Sequence, residues 1–129
     1  DYAATLPATR MWEILGNIGW YRNYVNEFFG GYDLLLSPTL AVPAFKIGEQ
    51  PEKIDGREVP HRLWGFTPFT YLFNLTGNPA ASAPAGFSSG GLPIGLQIIG
   101  DMKDETTILA ASAAFEEARP WADKRPPVS

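Results

Sequence analysis

Two short apolar runs, residues 80–83 and 94–99, are joined by Pro84-Ala85-Gly86-Phe87-Ser88-Ser89-Gly90-Gly91-Leu92-Pro93. Parallel strands need a long crossover, so runs this near to each other favour an antiparallel pair. Local punctuation agrees: Gly77 ends a preceding helix, Pro79 and Pro84 bound the first strand, and Gly90-Gly91 turns the chain into the second.

Other elements arrange themselves around this hairpin. Between residues 10 and 29, Ile14, Ile18, Tyr21, Val25 and Phe28 recur at helical spacing and share one face, and Gly30-Gly31 suits a left-handed stop. The run Leu34-Leu35-Leu36, closed by Ser37-Pro38, reads as an interior strand covered on both faces. A polar, turn-rich excursion over residues 44–63 follows, with Asp55-Gly56 as a tight hairpin turn. Thr67-Pro68 opens a second helix that carries Phe69, Leu72 and Phe73 towards a core. The last helix starts at the capping residue Asp104, aligns Ile108, Ala111, Phe115 and Ala118, and stops at Pro120, with Trp121 anchoring an irregular tail. The expected fold is α/β, a mixed sheet covered by helices.

At 129 residues, 45% of them hydrophobic, the chain holds material for one core, so residues 1–129 read as part of a single domain: a helical segment over 1–31, then strand, loop, helix, hairpin, helix and tail over 32–129. The net charge of −4 comes from dispersed carboxylates without a basic cluster, which argues against direct nucleic-acid binding. Without cysteine there is no disulfide, thiolate metal site or cysteine nucleophile. No apolar run approaches the roughly 20 residues that span a bilayer.

The run Asn74-Leu75-Thr76-Gly77-Asn78-Pro79-Ala80-Ala81-Ser82-Ala83-Pro84-Ala85-Gly86-Phe87, followed by Gly91-Leu92-Pro93-Ile94-Gly95-Leu96-Gln97-Ile98-Ile99-Gly100, resembles the carboxy-terminal portion of amidase-signature enzymes. Asp33 to Thr39 is similar to the family's strand before the substrate-side loop, and Asp104 to Glu116 to its last long helix. The resemblance implies a carboxy-terminal segment of the larger amidase-signature fold. It implies amide hydrolysis by a serine activated through a second serine in a cis peptide and a lysine, with no cofactor or metal. It also implies a small-molecule amide substrate, the remainder of the amidase polypeptide as partner, possible homo-oligomers, and the cytoplasm as compartment. The family's catalytic groups precede this region, and no position here matches the lysine or the nucleophile. Two alternatives stand beside this reading: a non-enzymatic module reusing the fold piece, and the tail of the glutamine-handling member of a glutamyl-tRNA amidotransferase.

Ser88-Ser89-Gly90-Gly91 looks like the family's Ser-Ser-Gly-Gly signature, but Leu92-Pro93 and a strand follow instead of a turn presenting a nucleophile; a hairpin turn is expected. Ser112 lies within the last helix, and His61, the single histidine, sits in the polar excursion without clustered carboxylates. The substrate-binding candidates are Trp64 and Phe69, from an aromatic cluster with Phe66, Tyr71 and Phe73 that could line an apolar pocket. Asp104, in an acidic group with Asp101 and Glu105, is the third; capping explains that group equally well.

Overall fold

The computed structural model describes residues 5–59, 61 and 65–125. Helix α1 spans Ala8–Phe29, β1 Leu34–Pro38, the short strands β2 and β3 Lys53–Ile54 and Arg57–Glu58, α2 Tyr71–Thr76, β4 Ala80–Phe87, β5 Pro93–Gly100 and α3 Glu105–Ala118.

Strands β4 and β5 pair antiparallel as the sequence anticipates, and β5 pairs antiparallel with β1, so the order of the three-stranded sheet is β1-β5-β4. Strand β4 runs past the expected boundary at Pro84 to Phe87. It does so through a register shift between Pro84 and Gly86, a bulge that admits proline on an edge strand. The interior strand expected at Leu34 to Ser37 is an edge among the described residues, with Leu36 56% exposed. An apolar run reports burial on two faces, and it cannot report whether a neighbouring strand lies within the same stretch of chain.

Strand alternation divides the core in two. On one face Ile98, Ala83 and Ile108 of α3 pack with Leu34, Leu96 and Phe115; on the other Ile99 joins Val25 and Phe29 of α1 and Phe73 of α2, with Leu35 and Leu72 against them. Ile98 and Ile99 are 1% and 0% exposed. Each contributes about 1.5 to 3 kcal/mol by burial.

The α1 stripe is as expected, with Val25 buried and Ile14, Ile18, Tyr21 and Phe28 half-buried, and Phe29 beside it is buried as well. Its end is not. Gly30 sits at φ −65°, right-handed, and donates to the Asn26 and Glu27 carbonyls, so the helix unwinds through ordinary turns without a left-handed cap. The second helix also starts later than expected. Thr67 to Thr70 form a turn in which the Thr67 carbonyl accepts from the Thr70 amide and hydroxyl, and Phe69 is held at the surface instead of entering the core. That helix does stop at Gly77, left-handed at φ 87°, where its amide donates to the Phe73 carbonyl. Arg22 of α1 caps the same end, its Nε donating to the Thr76 carbonyl at 2.8 Å and Nη2 to that of Leu75 at 3.3 Å.

The excursion holds the β2-β3 hairpin, with Asp55 and Gly56 at φ 49° and 73° as a two-residue turn requires. Asp104 caps α3, its Oδ1 accepting from the Thr107 amide at 3.2 Å.

Candidate functional site

The face of the sheet that carries α1 and α2 changes character along β5. Register places Leu35, Ile99 and Ala80 in one row across the strands, then Ser37, Gln97 and Ser82, then Thr39, Gly95 and Pro84. The first row lies under the helices. The next two carry hydroxyls and an amide, and a cleft of about 480 Å³ opens over Thr39, Gly95, Ser82 and Pro84.

Apolar side chains dominate its walls: Leu40, Val42 and Pro43 on the segment after β1, and Pro84, Pro93 and Ile94 on the hairpin. Across its floor the Thr39 and Ser82 hydroxyls share a hydrogen bond of 2.7 Å. Gly95 lies beneath this pair, where a Cβ would come within 2.6 Å of both hydroxyl oxygens. Only glycine lets the two strands bring these hydroxyls together over the middle one. The pair spends one hydroxyl hydrogen on itself, leaving the other as a donor, with acceptor lone pairs, for a polar group entering the cleft.

Two segments are fastened beside the floor. The Ala41 amide donates to the Phe66 carbonyl at 3.1 Å, and the Phe45 and Phe66 rings meet edge to face at 5.0 Å. Gln97, 3% exposed, donates from Nε2 to the Phe69 carbonyl at 2.9 Å, pinning the turn before α2 onto the sheet. An apolar concavity with a few placed polar groups is the usual form of a small-molecule site.

Of the sequence candidates, Phe69 belongs to this neighbourhood, its main chain held by Gln97 and its ring 36% exposed. Trp64 lies outside the described residues. Asp104 stands beyond Gly100, at the opposite end of β5 from the cleft, with a carboxylate oxygen engaged in capping α3; the structure does not bring it to Phe69. Asp101 likewise turns to its neighbour, accepting from the Met102 amide at 2.7 Å. Ser88 closes the β4-β5 turn: its hydroxyl accepts from the Leu92 amide at 3.1 Å and its carbonyl from the Gly91 amide at 2.9 Å. The Ser112 hydroxyl donates to the Ile108 carbonyl within α3. No group of three or more His, Cys, Asp or Glu side chains is arranged for a metal among the described residues.

Sequence reasoning did not single out Thr39, Ser82, Gly95 or Gln97. A signal was present at β1 alone, where Ser37 and Thr39 stand two residues apart and so share a face; β4 and β5 each carry a single polar residue, Ser82 and Gln97. A larger concavity of about 680 Å³ lies between the hairpin turn and the tail, where Phe87 and Trp121 are joined by Arg119, Lys124 and Arg125. Its charged side chains are all cationic.

A helix-covered antiparallel sheet thus carries an apolar, hydroxyl-floored cleft at one end. The chain belongs to the amidase family, whose model, described as Amidase, matches residues 9–109. It is 41% identical over 100 residues to an acylamidase of Rhodococcus erythropolis, covering 77% of this chain and 21% of that protein. It is 41% identical over 101 residues to a putative amidase, AmiC, of Mycobacterium leprae, covering 78% of this chain and 21% of that protein. Glutamyl-tRNA(Gln) amidotransferases contain a similar polypeptide: in Thermodesulfovibrio yellowstonii it is 44% identical over 105 residues, covering 81% of this chain and 20% of that protein. The fold superposes on a crystal structure of a bacterial aryl acylamidase of the amidase-signature family with a TM-score of 0.84 and 38% identity, over 98% of this chain and 27% of that one. The chain thus spans about a fifth of the curated relatives it matches. No described helix is long and apolar enough to cross a membrane.

Proposed function

We propose that the chain is the carboxy-terminal portion of an amide hydrolase, cleaving a carboxylic amide to an acid plus ammonia or an amine. In this reading residues 1–129 form part of one domain and contribute a wall of the substrate cleft, at the Thr39–Ser82 floor and the segment around Phe69. The nucleophilic serine, the cis serine and the lysine of the family lie outside it. The reading rests on the likeness to the aryl acylamidase, which runs through nearly all of this chain but about a quarter of that one. Helix α1 supports it: besides its packed stripe it exposes Trp12, Trp20 and Tyr24 at 75%, 65% and 59%. Large aromatic side chains outside the packed stripe mark a surface that further protein covers.

The cleft's contribution to the chemistry is positional. Apolar walls exclude water from the acyl or amine group, and the free hydroxyl donor orients it, while the family's backbone oxyanion hole supplies about 3 to 4 kcal/mol per donor at the reacting carbon. With no serine of this chain as nucleophile, the chain by itself is inactive, and the active species is a cytoplasmic enzyme that includes the rest of the amidase polypeptide.

Release of ammonia or amine from aryl and aliphatic amides by the complete polypeptide tests this. Activity is expected to survive Ser88→Ala and Ser89→Ala; its abolition by either would overturn the assignment of the nucleophile to another part of the protein. The 44% identity to the amidotransferase polypeptide favours a second reading, the tail of a protein that works on charged tRNA together with partner chains. Activity that appears only with those partners and charged tRNA would select it.

A further inference from the structure

We infer that the concavity between the β4-β5 turn and the tail is a binding site for an apolar organic acid, its body against Phe87, Leu92 and Trp121 and its carboxylate met by Arg119, Lys124 and Arg125. The inference stands on this cavity and does not depend on the chain being part of an amide hydrolase.

The end of α3 builds one wall. The Arg119 amide closes the helix on the Phe115 carbonyl at 2.9 Å, and Pro120, which has no amide hydrogen, stops it there. The chain then turns back, the Lys124 amide donating to the Trp121 carbonyl at 2.8 Å. That turn carries the Lys124 ammonium to 5.7 Å from the centre of the Phe87 ring, so tail and hairpin face each other across the cavity. The hairpin wall is fixed by its own turn, where the Ser88 amide donates to the Leu92 carbonyl at 2.8 Å, and Phe87 just before it stays 50% exposed.

Charge identifies the occupant. The chain as a whole carries a net charge of −4, yet every charged side chain on this lining is a cation. Glu116, Glu117 and Asp123 are near in sequence and do not line it. Among the described residues none of the three cations is ion-paired with a carboxylate. Like charges gathered at a concave surface without relief attract an anion. Two guanidinium forks suit a carboxylate, which accepts parallel hydrogen bonds from each, and the ammonium adds a point charge.

The apolar part of the lining decides the kind of anion. A cavity of about 680 Å³ is the size of a small-molecule site, far larger than an inorganic ion fills. Such an ion would leave Phe87, Leu92 and Trp121 wet. An acid with an aromatic or alkyl body covers the rings and meets the cations together.

Calorimetric titration of the complete polypeptide with 4-phenylbutyrate, and with 4-phenylbutan-1-ol as the neutral control of the same length, tests this. The acid is expected to bind at least about 10-fold more tightly than the alcohol, and Arg119→Gln combined with Arg125→Gln to remove that advantage. Arg119→Lys combined with Arg125→Lys is expected to keep part of it. Both arginines are exposed, so the variants should fold, which circular dichroism checks. Equal affinity for acid and alcohol would overturn the proposal, as would acid binding unchanged in the glutamine variant, which places the acid elsewhere. Failure of the acid to bind would overturn it too, and would leave the cations to a carboxylate of the same polypeptide.

Discussion

The side-chain amide of Gln97 reaches the main-chain carbonyl of Phe69 at 2.9 Å, across 28 residues of sequence, and joins the centre of the sheet to the turn that opens α2. Gln97 is 3% exposed, so water cannot replace the bond cheaply. Gln97→Leu keeps most of the volume and removes the donor, at an expected cost of about 1 to 3 kcal/mol in urea unfolding. In the complete enzyme the same variant is expected to raise KM, since the turn beside the cleft loses its tether.

Gly95→Ala tests the floor of the cleft. The added Cβ would stand 2.6 Å from the Ser82 and Thr39 hydroxyl oxygens, so the pair must separate. Substrate KM in the complete enzyme is expected to rise several-fold, about 1 kcal/mol of binding, with kcat less affected. An unchanged KM would remove the hydroxyl pair from the substrate site.

Arg22 holds α1 to the end of α2 through the Thr76 and Leu75 carbonyls. Arg22→Met retains the packing of the stem and loses both charge-assisted bonds. Unfolding experiments are expected to show a loss of about 2 kcal/mol, with Arg22→Lys recovering part of it.

Gly77 occupies the left-handed region at φ 87°, and a Cβ there would find only ordinary contact with Met102 at 3.7 Å. The cost of Gly77→Ala is therefore conformational, about 1 to 2 kcal/mol, and Gly77→Asn is expected to cost less. Thermal unfolding of the two variants checks the order.

Asp104→Ala removes the cap of α3 and is expected to destabilise by about 1 kcal/mol, whereas Asp104→Asn retains an acceptor for the Thr107 amide. Because Asp104 sits at the far end of β5 from the cleft, neither change is expected to alter KM. A KM effect at unchanged stability would restore Asp104 as a substrate contact.

The hairpin, the packed stripe of α1, the Asp55-Gly56 turn and the Asp104 cap were readable in the sequence because each is fixed by residues a few positions apart. Reading the chain as a portion of a larger sheet already implies an unpaired edge at the Leu34 strand or the Ile94 strand; that the edge falls to β1 and not β5 was not readable, since Leu34 to Leu36 state how apolar their surroundings are and nothing about which chain segment provides them. Phe69 misled for a related reason: aromatic composition suggests burial, while the turn at Thr67 to Thr70 decides where the ring points. The family followed from the joint order of motifs from Asp33 to Glu116. The hydroxyl floor stayed hidden because it is assembled from three strands, and the interruption needed to build it is the absence of a side chain at Gly95.

One face of the sheet passes from a hydrophobic row at Leu35 and Ile99 to a hydroxyl-bearing row at Thr39 and Gly95, with Gln97 between them. The packed core and the open cleft thereby occupy separate ends of the same three strands. Substitutions at the open end can retune what enters the cleft without disturbing the packed end. In the proposed amide hydrolase, a scaffold partitioned in this way would let the open end vary on a single unchanged core.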